Sequence, residues 1–324
     1  MAFRNAVRLA TGIVLAGMQA VAVAQSWPAK SIRIVVPFSP GGIADNSART
    51  VADKLGGKLG QSVVVDNRPG AAGNIGAEYV AKSPPDGYTL LLGYDGTIVV
   101  NPHVYAKTGF DVLRDFAPVT KLGDAGVIVV AHPSVPARDL RELIALARAK
   151  PGSFSYGSAG TGSSAHVACE MLSQRTGTNL VHVPYKGGGQ AIADTVGGQI
   201  PLTCTAVAGA QQFMKTGRLK GLGLSSATRA AGAPDVPTFI ESGLSGFVVD
   251  SWVGILAPTN TPRPIVDRLQ AEIAAVLQMP EVRERYSVLG IEPVGNRPDE
   301  FAAQIRADLA RWGPVVKQAN IRIE

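Results

Sequence analysis

Charge is scarce in this chain: only 17% of its 324 residues are Asp, Glu, Lys or Arg, and only two are cysteine. Two cysteines exclude a disulfide-dense scaffold and a multi-cysteine metal fold. The four histidines, His103, His132, His166 and His182, form no pair at a metal-ligand spacing. No Lys/Arg-rich block occurs, so the formal charge of +6 is dispersed and marks no nucleic-acid surface. No G-x-x-x-x-G-K-[ST] run exists, which removes the P-loop. What is plentiful is apolar residue and glycine. A hydrophobic fraction of 46% excludes a disordered chain, and 37 glycines without a Gly-X-Y period exclude collagen. The length exceeds what one core usually supports, so two lobes are expected.

Residues 1–24 read as a secretory leader. Arg4 and Arg8 form a basic start, residues 9–23 are apolar or small, and Ala22-Val23-Ala24 has the small-x-small cleavage pattern. Gly12, Gly17 and Gln19 interrupt the apolar run, and no other stretch reaches the ~18–20 apolar residues that a membrane span needs. Cleavage removes two arginines and no acid, so the charge falls from +6 to +4. No Cys stands at the cleavage point, which argues against a lipid anchor. The expected destination is the periplasm or the exterior, where a disulfide is permitted. Cys169 falls in a predicted helix and Cys204 in a predicted strand. Two buried thiols are slightly favoured over a bridge, and the deciding Cα separation is left open.

Strands alternate with helices through the mature chain. Residues 32–37 form a continuous apolar, β-branched run, as in a strand buried on both faces. The alternation predicts an α/β fold with mostly parallel sheets flanked by helices. Within it lies a weak repeat of strand, Gly-rich loop and helix. The first two loops are Phe38-Ser39-Pro40-Gly41-Gly42 and Pro69-Gly70-Ala71-Ala72-Gly73. The second pair is Gly157-Ser158-Ala159-Gly160-Thr161-Gly162-Ser163 and Pro184-Tyr185-Lys186-Gly187-Gly188-Gly189. Two similar lobes follow, each with two Gly loops at the carboxyl ends of its strands, the edge where open parallel sheets bind ligands.

A helix N-terminus presents N–H groups without intrahelical partners and the positive end of the macrodipole, so it suits an anion. Ser39, Ser158, Thr161 and Ser163 add hydroxyls that can donate to the same oxygens. Each loop alone reads as an ordinary βα turn; four in a repeated arrangement favour a ligand cleft. Asp45 has a capping role at the first helix. Gly160-Thr161-Gly162-Ser163-Ser164-Ala165 fits a dinucleotide pattern, but the next strand lacks the acid for a ribose hydroxyl, so no nicotinamide cofactor is expected. A competing reading is a secreted α/β hydrolase with Ser158 or Ser163 as nucleophile and His166 as base. It lacks an evident orienting acid, and the bland reading of His166 is packing or a bond to loop backbone.

At these loops the chain resembles the Bug-type periplasmic solute receptors of tripartite tricarboxylate transporters. The resemblance rests on Trp27-Pro28, on Pro37-Phe38-Ser39-Pro40-Gly41-Gly42 with Asp45, Ala48 and Arg49, and on Asn67-Arg68-Pro69-Gly70-Ala71-Ala72-Gly73-Asn74-Ile75-Gly76. It continues through Pro85-Asp86-Gly87-Tyr88-Thr89, the 156–163 loop with His166 and Glu170, and Val183-Pro184-Tyr185-Lys186-Gly187. Pro234-Asp235-Val236-Pro237-Thr238 with Glu241 and Gly243, then Ala257-Pro258, complete it. Pro201 departs from the family, which often carries an acid there.

The resemblance implies a two-lobed, type II-like periplasmic binding fold that closes on its ligand like a flytrap. It implies no enzyme, cofactor or metal. The expected ligand is a small carboxylate: a di- or tricarboxylate, an acidic amino acid or an aromatic acid. The expected partners are the membrane subunits of the transporter, the chain being a monomer; a sensor feeding a signalling partner is the alternative. First-lobe contacts are expected near Phe38, Ser39, Gly42, Ala72 and Gly73. Second-lobe contacts are expected near Ser158, Gly160, Thr161, Ser163, Tyr185 and Asp250. The expected division is residues 25–124 with 253–324 as the first lobe and 125–252 as the second, with crossing segments near 123–126 and 249–254 as the hinge.

Overall fold

The computed structural model describes residues 27–318, so the expected leader lies outside the described residues. The apolar run near the start becomes β1 (Ile32–Val36). Its Ile32, Ile34 and Val36 enter one core cluster and Val35 another, so both faces are covered. After β1 comes α1 (Ile43–Leu59), which buries Ala44, Ala48, Val51 and Leu55 on one stripe at helical spacing. Next are β2 (Val63–Asn67), α2 (Asn74–Ala81) and β3 (Thr89–Tyr94). β2 and β3 flank β1, both in parallel.

The chain then leaves the first lobe along β4 (Phe116–Ala131), a 16-residue strand. α3 (Leu140–Ala149) opens the second lobe, followed by β5 (Phe154–Ser158), α4 (Ser164–Thr176), β6 (Leu180–Pro184), α5 (Gly188–Val196), β7 (Leu202–Ala206), α6 (Val207–Lys215) and β8 (Lys220–Leu224). β6 and β7 flank β5 in parallel, repeating the arrangement of the first lobe. The return strand is β9 (Asp250–Pro258). It lies between β3 and β4, antiparallel to both. α7 (Arg263–Leu277), α8 (Pro280–Val288), β10 (Ile291–Pro293) and α9 (Pro298–Gln318) finish the chain. α7 buries Val266, Leu269, Ile273 and Val276, which join the core of the first lobe.

This is a two-lobed α/β fold with two crossing segments. The pairing of β4 with β9 runs from Phe116 opposite Pro258 to Gly126 opposite Asp250. Beyond that point β4 pairs with β7 and β8 of the second lobe, starting at Val127 opposite Ala206. Each lobe keeps a parallel trio, and the crossing strands add antiparallel edges to it.

One expectation is corrected here. Cys169 of α4 and Cys204 of β7 are joined as a disulfide rather than left as two thiols, with Cα atoms 6.6 Å apart. That separation is within bridging range. The bridge closes a 35-residue loop, so reduction is expected to cost about 3–4 kcal/mol. A urea titration with and without reductant measures the difference.

Candidate ligand-binding site

The four Gly loops come together. The Ser39 N–H and the Ser39 hydroxyl both donate to the Lys186 carbonyl, each at 3.3 Å, which ties the first loop to the fourth across the lobes. The third loop meets the second where Gly160 approaches Ala72, a Cβ at Gly160 falling 3.4 Å from the Ala72 Cβ. Asn67 Nδ2 donates to the Phe38 carbonyl at 3.0 Å and joins the first loop to the base of the second.

Between the first and fourth loops lies a cavity of about 30 Å³. Phe38, Gly42, Ile43 and Ala44 line it from the first lobe; Gly188, Thr205 and Ala206 line it from the second. Tyr94 and Phe38 form an edge-to-face pair in its wall, with centroids 5.4 Å apart. Cys204 brings the disulfide to the same wall, and no lining residue carries a charge.

Three helices open onto this space. α1 starts after Gly42, α5 after Gly187 and α6 after Ala206, and none has a side-chain cap. Their first-turn N–H groups therefore lack both intrahelical and side-chain partners. The helix starts are close: a Cβ at Gly42 would lie 4.0 Å from the Gly188 nitrogen, and one at Gly209 would lie 3.7 Å from the Gly41 carbonyl oxygen. Three positive dipole ends thus face one small volume walled by apolar side chains. Such a place suits one carboxylate, held by backbone donors in a low dielectric.

The structure sorts the expected site residues. Phe38 and Gly42 line the cavity. Ser39 is buried beside it, with its hydroxyl committed to the Lys186 carbonyl. Ala72 and Gly73 lie to one side, over Thr97 and Asn101. Ala72 has φ 49°, a left-handed conformation supported by Thr97 Oγ1 at 2.8 Å and Asn101 Nδ2 at 3.1 Å, both donating to its carbonyl. Gly73 has φ 95°, and a side chain there would meet Thr97 and the Phe38 ring.

The Ser158 and Ser163 hydroxyls are used inside the protein. Ser163 caps α4 by accepting from the His166 N–H at 3.3 Å. Ser158 is fully buried; its Oγ lies 2.7 Å from His182 Nε2 and accepts from the Gly160 N–H at 3.1 Å. The Thr161 carbonyl accepts from the Tyr105 hydroxyl at 2.9 Å. Tyr185 turns away from the cavity: its hydroxyl donates to Asp194 on α5 at 2.8 Å, and its ring packs beside Gly157. Burial and Asp194 push its phenol up to about 12. Asp250 opens β9 opposite Gly126, and its side chain lies outside the described residues.

Asp45 is structural, as expected, but it bonds the loop before α1 rather than a first-turn N–H of the helix. Its carboxylate accepts from the Gly41 N–H at 3.0 Å and pairs with Arg49 at 3.0 Å. Burial pushes this carboxyl up, but the bonds from Arg49, Asn67 and Gly41 outweigh it and hold it below the ordinary range. Among the lining residues missed by sequence reasoning are Tyr94, Thr205 and Ala206. The signal lay in Thr205-Ala206-Val207, a strand running directly into a helix with no Ser, Thr, Asp or Asn at the cap.

The hydrolase geometry is not assembled. His166 stacks on His182 with centroids 3.9 Å apart, and its Nδ1 accepts from the Gly162 N–H at 3.1 Å. Ser158 pairs with His182 instead, and no carboxylate bonds either ring among the described residues. Glu170, the acid on the same helix, accepts from Tyr156 at 2.6 Å. Burial and His182 push His166 down to about 3, and burial pushes His182 down to about 4. Both rings are therefore neutral over the physiological range, and they build the third loop. Among the described residues no group of His, Cys, Asp and Glu could hold a metal, and no helix is long and apolar enough to cross a membrane.

Two parallel-cored lobes with a cavity between them define a periplasmic solute-binding fold, and solved structures of that class share it. The chain belongs to the family described as "Tripartite tricarboxylate transporter family receptor", which it matches over residues 47–321. It is 38% identical over 318 residues to a UPF0065 protein in the tcbD-tcbE intergenic region of Pseudomonas sp. strain P51, covering 97% of this chain and 94% of that one. It is 35% identical to Protein BugT of Bordetella pertussis, covering 96% of each chain. Among solved structures, R. palustris Rpa4515 with adipate is 35% identical with a TM-score of 0.89, covering 91% of this chain and 99% of that one. MatC of Rhodopseudomonas palustris with bound malate is 32% identical with a TM-score of 0.85, covering 90% of this chain and 100% of that one.

Proposed function

We propose that this protein is a periplasmic receptor that captures one small carboxylate between its lobes and delivers it to the membrane subunits of a tripartite tricarboxylate-type transporter. The observation that carries the reading is the cavity itself: three uncapped helix starts around it and no charged residue in its lining. The carboxylate sits against the starts of α1, α5 and α6, and the body of the ligand packs on Phe38, Tyr94 and the wall that holds Cys204. The acids named for the two R. palustris structures support this ligand class. A cavity of about 30 Å³ holds water rather than a six-carbon acid, so capture involves a parting and re-closing of the lobes. The hinge is the β4/β9 crossing, with the lobes dividing near residues 124 and 252. The protein does no chemistry on its ligand. The leader directs export and is removed, and the mature chain acts as a monomer.

The test is mass spectrometry of small molecules released on denaturing natively purified protein. Thermal unfolding of stripped protein with adipate, malate and a panel of aromatic acids follows. A ligand at 100 times its Kd adds about 2.7 kcal/mol, a rise of several degrees in Tm. A folded, stripped protein that responds to no carboxylate would sink the reading.

A further inference from the structure

Asp95 has no part in the cavity just described, yet it is almost completely buried where the lobes touch. It directly follows β3 and is 1% exposed. Ser164, the first residue of α4 in the second lobe, donates its hydroxyl to Asp95 Oδ1 at 2.5 Å. Ser251, on the crossing strand β9, donates to the same oxygen at 2.7 Å. Oδ2 has no partner among the described residues. The contact is tight at the backbone as well: a Cβ on the adjacent Gly96 would fall 2.8 Å from the Ser164 nitrogen and 3.0 Å from the Ser163 Cα.

Asp95 pairs with no Lys or Arg among the described residues. Tyr94 precedes it on β3, and burial together with the Asp95 charge pushes that phenol up. Asp308 on α9 is the charged group that acts on it, and it is an acid. Asp308 is itself held by Trp252 Nε1 at 3.0 Å and Arg311 at 3.2 Å. On α4 the nearby ionisable group is His166, which is turned to Gly162 and His182. Burial, the largest influence, opposes the carboxylate, and Asp308 adds to it; the two hydroxyls and the Gly96 N–H favour the carboxylate. Burial prevails and moves the carboxyl up to about 7.

We propose that Asp95 is a positioning residue for ligand capture: as the neutral acid it fastens Ser164 of the second lobe to the first, and as the carboxylate it releases that lobe to water. The proposal deepens, and so rests on, the reading of the cleft as a ligand site. An ionised Asp95 in this seam is a buried charge without a counter-ion, so parting the lobes relieves it. Closure therefore takes up a proton, and capture is favoured on the acid side of neutrality.

Hydrogen exchange on the ligand-free full mature chain tests this, with rates corrected for intrinsic pH dependence. Protection of the amides at residues 160–167 is expected to fall about tenfold per pH unit between the ordinary carboxylate range and about 7, one proton being linked to each opening, and to level off above that. Asp95→Asn, an uncharged mimic of the acid, is expected to show no such slope. Ser164→Ala is expected to show at about pH 5 the low protection that the parent reaches only at about pH 7, and it serves if the first variant does not fold. A flat parental profile, or a slope that Asp95→Asn fails to abolish, would overturn the latch. No ligand is needed, so a chain that binds no carboxylate leaves the outcome unaffected. A flat profile beside clear carboxylate binding would remove the latch alone.

Discussion

Gly42→Val is expected to fold normally and to lose at least about 100-fold in carboxylate affinity, near 2.7 kcal/mol. Gly42 has φ −83° and ψ 179°, which any residue adopts, so valine meets no backbone strain. A Cβ there touches only the Gly188 nitrogen, at 4.0 Å. The new side chain would stand between the starts of α1 and α5, where the anion is held. Each dipole contributes about 0.3–1 kcal/mol, and up to ~2 when partly buried, so forfeiting their shared focus accounts for the loss. Steric exclusion adds to it. Calorimetry with the acid released from the parent protein reads the effect, and circular dichroism confirms the fold. Unchanged affinity in a well-folded Gly42→Val protein would place the anion elsewhere. Gly73 is a poorer probe, because a side chain there strikes Thr97 and Phe38 and disturbs the loop itself.

The second large effect is a loss of stability in acid. His166 and His182 are held neutral, with values near 3 and near 4 against an ordinary 6.5. Between 6.5 and those values the unfolded chain binds protons that the folded chain refuses. Stability therefore falls as pH drops through that window and is fully retained above it. The two rings together are expected to cost on the order of 3–5 kcal/mol by about pH 4.5. Urea titrations at about pH 7 and about pH 4.5 measure the difference, and His182→Gln should reduce it by roughly half. Equal stability at the two pH values would show that the stacked pair is not held neutral. Asp95 acts with the opposite sign: its raised value contributes stability below the ordinary carboxylate range and loses it as pH rises through about 7.

The class of fold is legible because its signals are local. Residues 32–37 read as a doubly buried strand and form β1 (Ile32–Val36), and the Gly loops stand at the strand ends where helices begin. The long crossing strand is legible only in part. Its apolar pattern predicts a strand at residues 127–131, while β4 runs from Phe116. Lys121 and Asp124 break that pattern, and they are accommodated by an ion pair at 2.8 Å and by pairing with β9 and β10. Nothing local signals such long-range pairing. The disulfide is undecided at the level of sequence for the same reason, since it depends on how α4 lies against β7.

At the site, glycine without a cap marks α1 and α5 well. Serine misleads, because a serine before a helix serves equally as a cap or as a ligand donor. Ser163 caps α4, and Ser158 holds His182 and Gly160. Tyr185 misleads because its position beside the loop says nothing of its direction, which Asp194 decides. The start of α6 carries no glycine before it, so its share of the cavity emerges only from the packing of the lobes.

The central claim is that helix starts, not cationic side chains, hold a single carboxylate. Titration calorimetry of stripped protein with the released acid and with its neutral amide tests it most directly. The account predicts one-to-one binding of the acid and at least about 100-fold weaker binding of the amide, the difference set by the three dipole ends. Equal affinity for acid and amide would contradict it.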